Sequence, residues 1–158
     1  MCWVCEHPES TRQERLEYLR GVLHQHSRVV IGVHEERYRP PYSYTLGLTD
    51  RELPELVITG LPHKRAADEL TRAAWELLGG GTLAPGKQIR TVDGLLAEVV
   101  KVAEPGAHLD VAADLYGQQL AALQLVYTDR RGHWPWDRRS RAGRGGQPVL
   151  GARAKQAA

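Results

Sequence analysis

The chain has 158 residues and a mass of 17.6 kDa, with 42% hydrophobic residues, two cysteines and a net charge of +2. This length and composition predict a single domain with one apolar core, and they exclude a collagen, a largely disordered chain and a disulfide-stabilised scaffold. No apolar run reaches the roughly 18 residues of a membrane span, and no signal peptide opens the chain. We therefore expect a cytoplasmic protein that has no membrane partner.

The charge is unevenly distributed along the chain. Residues 130–158 carry a net charge of +7, so residues 1–129 carry −5. We predict a single α+β domain over residues 1–137 and a basic, Gly/Arg-rich C-terminal tail over residues 138–158 that is partly mobile. Such a tail is suited to binding a polyanion, to docking on the acidic body, or to solubility alone. Nucleic acid is an unfavoured partner because the chain has no recognisable nucleic-acid-binding module.

The chain begins with patterns of one helix and one strand. Thr11 and Glu14 have the spacing of a capping box, and leucines recur after them at helical spacing. These features predict a helix over about residues 11–26. Alternating apolar residues then predict a strand over 28–34.

The next strand, predicted over residues 42–48, has two unlike faces. Its bulky residues share one face, whereas Ser43, Thr45 and Gly47 form a small polar face on the other. A backbone or a ligand can approach small residues closely, so this face is a candidate pocket floor. The short apolar run 56–59 that follows predicts a central strand buried on both faces.

The second half of the chain predicts two helices and three more strands. Asp93-Gly94 marks a two-residue hairpin turn. Apolar stripes and flanking Pro and Gly residues predict helices over 62–78 and 105–115. The predicted strands cover residues 88–92, 95–102 and 120–128.

This order of elements predicts the fold class. Most strands follow one another without a helical crossover, so the sheet should be largely antiparallel. We therefore predict an α+β fold in which about six strands form a curled sheet or small barrel with three helices. Small flavin-binding split barrels have a similar order of elements, so a flavin is suggested as a cofactor by fold analogy only.

Several short motifs occur in an order that is typical of one family. They are, in chain order, Cys2-Trp3-x-Cys5-x-His7-Pro8, Pro40-Pro41-Tyr42-x-Tyr44-Thr45-x-Gly47-Leu48, Pro54-Glu55-Leu56-Val57, Ala107-His108-Leu109, Ala122-Leu123-Gln124-Leu125-Val126 and Gly132-x-Trp134-Pro135-Trp136-Asp137. With these motifs, the chain resembles the bacterial family called domain of unknown function 4262, especially its actinobacterial members. The resemblance covers nearly the whole chain and implies no particular activity.

The N-terminus carries a candidate metal site. Cys2 and Cys5 form a C-x-x-C pair, and His7 follows two residues later. Thiolates at this spacing can share one Zn²⁺ or form a redox couple. A closed zinc site has four ligands, so Cys2, Cys5 and His7 would need one more from elsewhere in the chain. The alternative is that the two thiols only pack the N-terminal segment against the core.

Five residues are candidates for ligand binding. Ser43 and Thr45 provide the small polar face, and Gln124 interrupts an apolar strand with an amide that needs hydrogen-bond partners. Trp134 and Asp137 offer an aromatic wall and an acidic group for a planar ligand. Each has a structural alternative. The face of Ser43 and Thr45 could pack against a helix, and the Gln124 amide could bond to neighbouring backbone. Trp134 and Asp137 could anchor the basic tail.

The candidate catalytic residue is His108, because imidazole exchanges protons near neutral pH. The chain contains no P-loop, dinucleotide-binding glycine fingerprint, nucleophile elbow or zinc-protease motif, so the reaction type stays open. We predict a small-molecule-binding domain, with enzymatic activity left open. The alternatives are a metal-binding domain and an interaction module that acts through the basic tail. An exposed sheet edge would also allow a homodimer.

Overall fold

A computed structural model describes residues 3–138 and 146–155 of the chain. Within those residues it has a one-turn helix, three longer helices and a six-stranded sheet, which confirms the predicted α+β class. The helices are α1 (Trp3–Glu6), α2 (Arg12–His26), α3 (His63–Leu78) and α4 (Asp110–Tyr116). The strands are β1 (Val29–Val33), β2 (Tyr42–Leu46), β3 (Glu55–Thr59), β4 (Gln88–Arg90), β5 (Leu96–Lys101) and β6 (Ala122–Tyr127).

The strands lie in the order β1-β2-β3-β6-β5-β4. The last strand, β6, is inserted between β3 and β5, and it pairs with β3 in parallel. The other neighbouring strands pair antiparallel, so the sheet is largely antiparallel as predicted. The sheet is open and not closed into a barrel, because β1 and β4 lie at opposite edges.

One face of the sheet is covered by α3. The buried side chains of this helix recur at helical spacing and include Leu70, Ala74 and Leu77. They pack in one apolar cluster with Leu56 and Ile58 of β3. No helix in the described part of the chain is both long enough and apolar enough to cross a membrane.

The opposite face is covered partly by α4 and α2. Leu109 and Ala112, at the start of α4, are buried with Tyr44 of β2 in a second apolar cluster. By contrast, α2 buries no residue fully and contributes only the half-buried Leu19 and Leu23. This helix is therefore held less tightly than α3.

The start of α2 confirms the predicted capping box. The Thr11 hydroxyl accepts a hydrogen bond from the backbone N–H of Glu14 at 3.2 Å. The Glu14 carboxylate in turn accepts one from the backbone N–H of Thr11 at 2.7 Å. The pair satisfies two N–H groups that have no partner within the helix.

The hairpin of β4 and β5 forms, but its turn is longer than predicted. Arg90 pairs with Leu96, and the backbone N–H of Thr91 donates to the Leu95 carbonyl at 2.8 Å. The loop therefore contains residues 92–94, and the predicted two-residue turn was wrong. Gly94 has φ of 81°, which suits the left-handed last position of a three-residue hairpin loop.

Residues 146–155, here called the C-terminal segment, lie against β5 and β6. The Gln147 side-chain amide bonds to both the backbone N–H and the carbonyl of Tyr127, each at 2.9 Å. The backbone N–H of Ala103 donates to the Leu150 carbonyl at 2.9 Å. The division of the chain into a domain and a tail stays a prediction, and part of the tail predicted to be mobile (139–145 and 156–158) lies outside the described residues.

The carboxylate of Glu55 fixes the connection between β2 and β3. It is fully buried and accepts hydrogen bonds from the hydroxyl of Thr45 at 2.6 Å and that of Thr49 at 2.8 Å. It also accepts from the backbone N–H of Thr49 at 2.9 Å and of Gly47 at 3.1 Å. Burial raises the pKa of Glu55, and the hydrogen bonds from Thr45 and Thr49 act in the opposite direction.

We expect Glu55→Gln to lower the free energy of unfolding by about 2 kcal/mol, because an amide NH₂ would replace an acceptor oxygen that faces donors. Glu9→Gln is the control, since Glu9 is exposed. It should change the free energy by less than about 0.5 kcal/mol. Urea denaturation measures both variants, and equal effects would show that the buried carboxylate does not hold this connection.

Candidate functional site

A cleft of about 1170 Å³ lies beside β1, between α2, α4 and the start of α3. All five residues of β1 line it, and alternate residues of a strand point to opposite faces of the sheet. The cleft therefore runs along the open edge of β1. Most of its walls are apolar, and they include Leu16, Leu19 and Val22 of α2.

The main polar feature of this cleft is a pair formed by Ser43 and His63. Nδ1 of His63, the first residue of α3, lies 3.0 Å from Oγ of Ser43 on β2. Ser43 is 1% exposed, whereas His63 is exposed and lines the cleft. Nε2 of His63 makes no hydrogen bond to any described residue. The imidazole is therefore held at one nitrogen and available at the other.

Gly32 makes room for the His63 ring. It lies directly opposite Ser43 in the pairing of β1 with β2. A Cβ added at Gly32 would collide with Nδ1 of His63. The lack of a side chain on the edge strand therefore lets the imidazole lie over β1 and reach β2.

Charged groups lie around the apolar part of the cleft. The Arg12 guanidinium donates two hydrogen bonds to Asp114, one of them at 2.8 Å, and joins the start of α2 to α4. Arg15, Glu35 and Asp110 also line the cleft. Most of the surface that a ligand would contact is therefore apolar, and charged side chains lie at a few places along it.

Of the three residues predicted to form a pocket floor, Ser43, Thr45 and Gly47, only Ser43 lines this cleft. The Thr45 hydroxyl donates to Glu55 at 2.6 Å and accepts from the backbone N–H of Leu56 at 2.9 Å. Thr45 thus supports the connection between β2 and β3.

Gln124 lies on the opposite face of the sheet from Ser43. It is the direct partner of Val57, which in turn pairs with Tyr44. The Gln124 amide bonds to the C-terminal segment: its Oε1 accepts from the Leu150 N–H and its Nε2 donates to the Pro148 carbonyl, both at 2.7 Å. Nε2 also lies 3.2 Å from the Thr59 hydroxyl. Backbone of the chain itself therefore occupies the groups that were predicted to meet a ligand.

Trp134 and Asp137 also lie near the C-terminal segment and not at the cleft. Asp137 accepts a hydrogen bond from the backbone N–H of Trp134 at 2.8 Å, and the Trp134 and Trp136 rings stack at 5.1 Å between centroids. The Arg153 guanidinium lies 4.0 Å from the Trp136 ring centroid. Arg153 also forms two hydrogen bonds to Glu98, at 2.8 and 2.9 Å.

His108 is separate from Ser43 as well. Its backbone carbonyl accepts a hydrogen bond from the Tyr42 hydroxyl at 3.0 Å, and its half-buried side chain does not line the cleft. In the described structure, the candidate catalytic residue and the candidate ligand-binding residues therefore do not form a single site.

The metal prediction falls partly outside the described residues, because Cys2 lies there. Cys5 and His7 are both exposed near α1. Among the residues that the structure describes, no three His, Cys, Asp or Glu side chains are grouped so that they could hold a metal ion. The set of Cys2, Cys5 and His7 stays a prediction.

Sequence reasoning assigned no role in this region to three residues on which it depends. Gly32 interrupts a Val/Ile strand, which is a recognised mark of close approach by another group. His63 follows a proline at a helix start, and Glu55 adjoins an apolar run. These local features are visible in the sequence. They do not identify the contacts of each residue, because strand register and packing determine those contacts.

We expect Gly32→Ala to lower the free energy of unfolding by about 1–2 kcal/mol, because the His63 ring must leave Ser43. The control is Gly21→Ala, in the middle of α2, where a Cβ would meet nothing within 4 Å. This control should stabilise the protein by about 0.5–1 kcal/mol. Urea denaturation measures the change in stability of both variants, and a crystal structure of the Gly32→Ala variant shows whether the His63 ring has moved. An unmoved His63 ring would contradict the proposed role of Gly32.

The Arg153–Glu98 pair predicts a dependence of stability on pH. Hydrogen bonding to Arg153 lowers the pKa of Glu98 from its ordinary value of 4.5. The stabilisation is therefore complete above that value and is lost as the pH falls towards the lower pKa of the folded state.

We expect Arg153→Gln to cost about 1–2 kcal/mol at neutral pH, because the buried Glu98 carboxylate loses its charged partner, whereas Arg153 itself is partly exposed. The difference from the unsubstituted chain should shrink as the pH falls below 4.5 and should disappear below the lowered pKa of Glu98 in the folded state. Lys155→Gln, at an exposed position of the same segment, is the control and should have little effect at either pH. Urea denaturation over a pH series measures the free energy of unfolding of each variant. A difference between Arg153→Gln and the unsubstituted chain that does not change with pH would contradict the role of Glu98.

Comparison with known proteins gives a family for this chain. The family model described as Domain of unknown function (DUF4262) matches residues 22–141, which include β1, Ser43 and His63. No curated protein and no solved structure matched. The match confirms the resemblance found in the sequence motifs. Because it covers more than half of the chain, the chain belongs to the family of domain of unknown function DUF4262.

Proposed function

We propose that the chain binds a small molecule in the cleft beside β1, with His63 as its principal polar contact. One observation carries this proposal: the imidazole at the wall of a largely apolar cleft is held through Nδ1 by Ser43. Its Nε2 has no hydrogen bond to a described residue. A few oriented polar groups in an apolar concavity are typical of small-molecule sites.

The lining indicates what kind of molecule would fit. Ligand pockets typically have volumes of about 300–1000 Å³, and the cleft beside β1 has about 1170 Å³. Leu16, Ile31 and Val111 provide apolar surface from three different elements. The best match is an elongated, mainly apolar molecule with one polar group that reaches His63.

If the ligand carries a transferable proton, His63 would be the catalytic residue. An imidazole held at one nitrogen can donate or accept a proton at the other. Ser43 is 1% exposed beneath the His63 ring, so it is a positioning residue and not an accessible nucleophile. This proposal replaces His108 with His63 as the candidate catalytic residue.

The dye anilinonaphthalene sulfonate, an apolar ring system with one anionic group, is a suitable probe. We expect it to bind the full chain saturably, with a rise in its fluorescence. Val22→Trp would fill the cleft and His63→Ala would remove the polar contact. Each should weaken dye binding by about fivefold or more, which corresponds to about 1 kcal/mol.

Two matched variants serve as controls for dye binding. Val92→Trp adds the same side chain at an exposed position on the β4–β5 loop. His26→Ala removes an exposed histidine at the end of α2. Neither should change the affinity, and an equal loss in these controls would contradict binding in the cleft.

A further inference from the structure

The two edges of the sheet are protected to different degrees. β4 has only three residues, and its Gln88 and Arg90 are polar and exposed. Short, charged edge strands are a common protection against pairing with another chain. β1 has five residues, Val29–Val33, with no charged residue and no proline among them. By the same criterion, β1 is an unprotected edge.

The apolar surface around β1 is also incompletely covered. Every residue of β2 and β3 is buried, whereas Val29, Ile31 and Val33 of β1 are only half-buried and Gly32 is exposed. The neighbouring helix α2 buries no residue fully. Apolar side chains that are left half-covered beside an open edge indicate a surface that another strand can complete.

We propose that β1 of a second copy of this chain pairs with β1 in an antiparallel arrangement, about a two-fold axis at Ile31. In this register, Ile31 faces its own copy, and Val29 lies opposite the partner's Val33. These β-branched residues share one face of the sheet, where cross-strand pairs of this kind are favourable. Val30 lies opposite Gly32 of the other copy, over which the His63 ring of that copy lies.

Charge at the two ends of β1 favours the antiparallel direction. Arg28 precedes the strand and lies over the Trp75 ring, whereas Glu35 follows the strand closely. Glu36, the next residue, is paired with Arg39 of the same chain. Antiparallel pairing brings Arg28 of one copy to the same end as Glu35 of the other. Parallel pairing would instead place Arg28 beside Arg28 and Glu35 beside Glu35, which is unfavourable.

The pairing would also narrow the cleft. All five β1 residues line the cleft along the open edge, so a strand paired with β1 would occupy that part of it. The dimer does not depend on the proposed ligand binding, and its test is separate from dye binding.

Sedimentation equilibrium of the full chain is the first test. We expect a concentration-dependent species of twice the 17.6 kDa chain mass. Val33→Lys should weaken the dimer at least about tenfold, because it places a charge in an apolar edge pair. Val92→Lys, on the exposed loop, should leave it unchanged. A monomer at all concentrations, or a dimer that Val33→Lys does not weaken, would overturn the proposal.

A charge-reversal pair tests the register. Val29→Glu alone should also weaken the dimer, and the double variant Val29→Glu/Val33→Lys should restore it. Positions 29 and 33 of one chain are roughly 13 Å apart along the strand, so restoration cannot come from a pair within one copy. Loss of the dimer in the double variant as well would overturn the antiparallel register.

Cysteine cross-linking tests the same antiparallel register without charged substitutions, and it applies if the charged variants fail to fold. In a Cys2→Ser/Cys5→Ser background, Ile31→Cys should form a disulfide between copies, because directly opposed residues in antiparallel strands have suitable spacing. Val33→Cys alone should not cross-link. A mixture of the Val29→Cys and Val33→Cys chains should form the mixed disulfide. Cross-linking of Val33→Cys to itself, without Ile31→Cys, would overturn the register.

Discussion

The parallel pairing of β3 with β6 places these two strands at the centre of the sheet. Leu56 lies opposite Leu123, and Val57 lies opposite Gln124. Central strands must be covered on both faces. α3 covers one face, while α4 and the C-terminal segment cover the other. Because β6 occupies the middle, β1 and β4 are left as the edges, and the position of the cleft follows from that arrangement.

The cleft arises because α2 covers β1 only loosely. This helix runs directly into β1, and an ion pair between Arg12 and Asp114 joins its first turn to α4. Its apolar side chains therefore stand beside the open strand edge and are not buried in the core. His63 reaches the same region from α3, because Gly32 leaves space above β1. The proposed ligand site and the unpaired strand edge thus have one structural origin.

The sequence predicted local features well and long-range partners poorly. The capping box at Thr11 depends on four consecutive residues, and the two faces of β2 depend on alternation alone. The amide of Gln124 was correctly expected to need partners, but its partners come from a segment more than twenty residues further along the chain. His63 meets Ser43 only because strand register places Gly32 opposite Ser43. No periodicity within a single element contains that information.

The most direct test of the account is residue-resolved amide hydrogen exchange in the full chain, because the central claim concerns the β1 edge. The β1 amides that point away from β2 should be protected, and their protection should increase with protein concentration. The outward amides of β4 should exchange rapidly at every concentration. If both edges exchange equally fast and independently of concentration, β1 is not completed by a second copy, and the account of this edge is wrong.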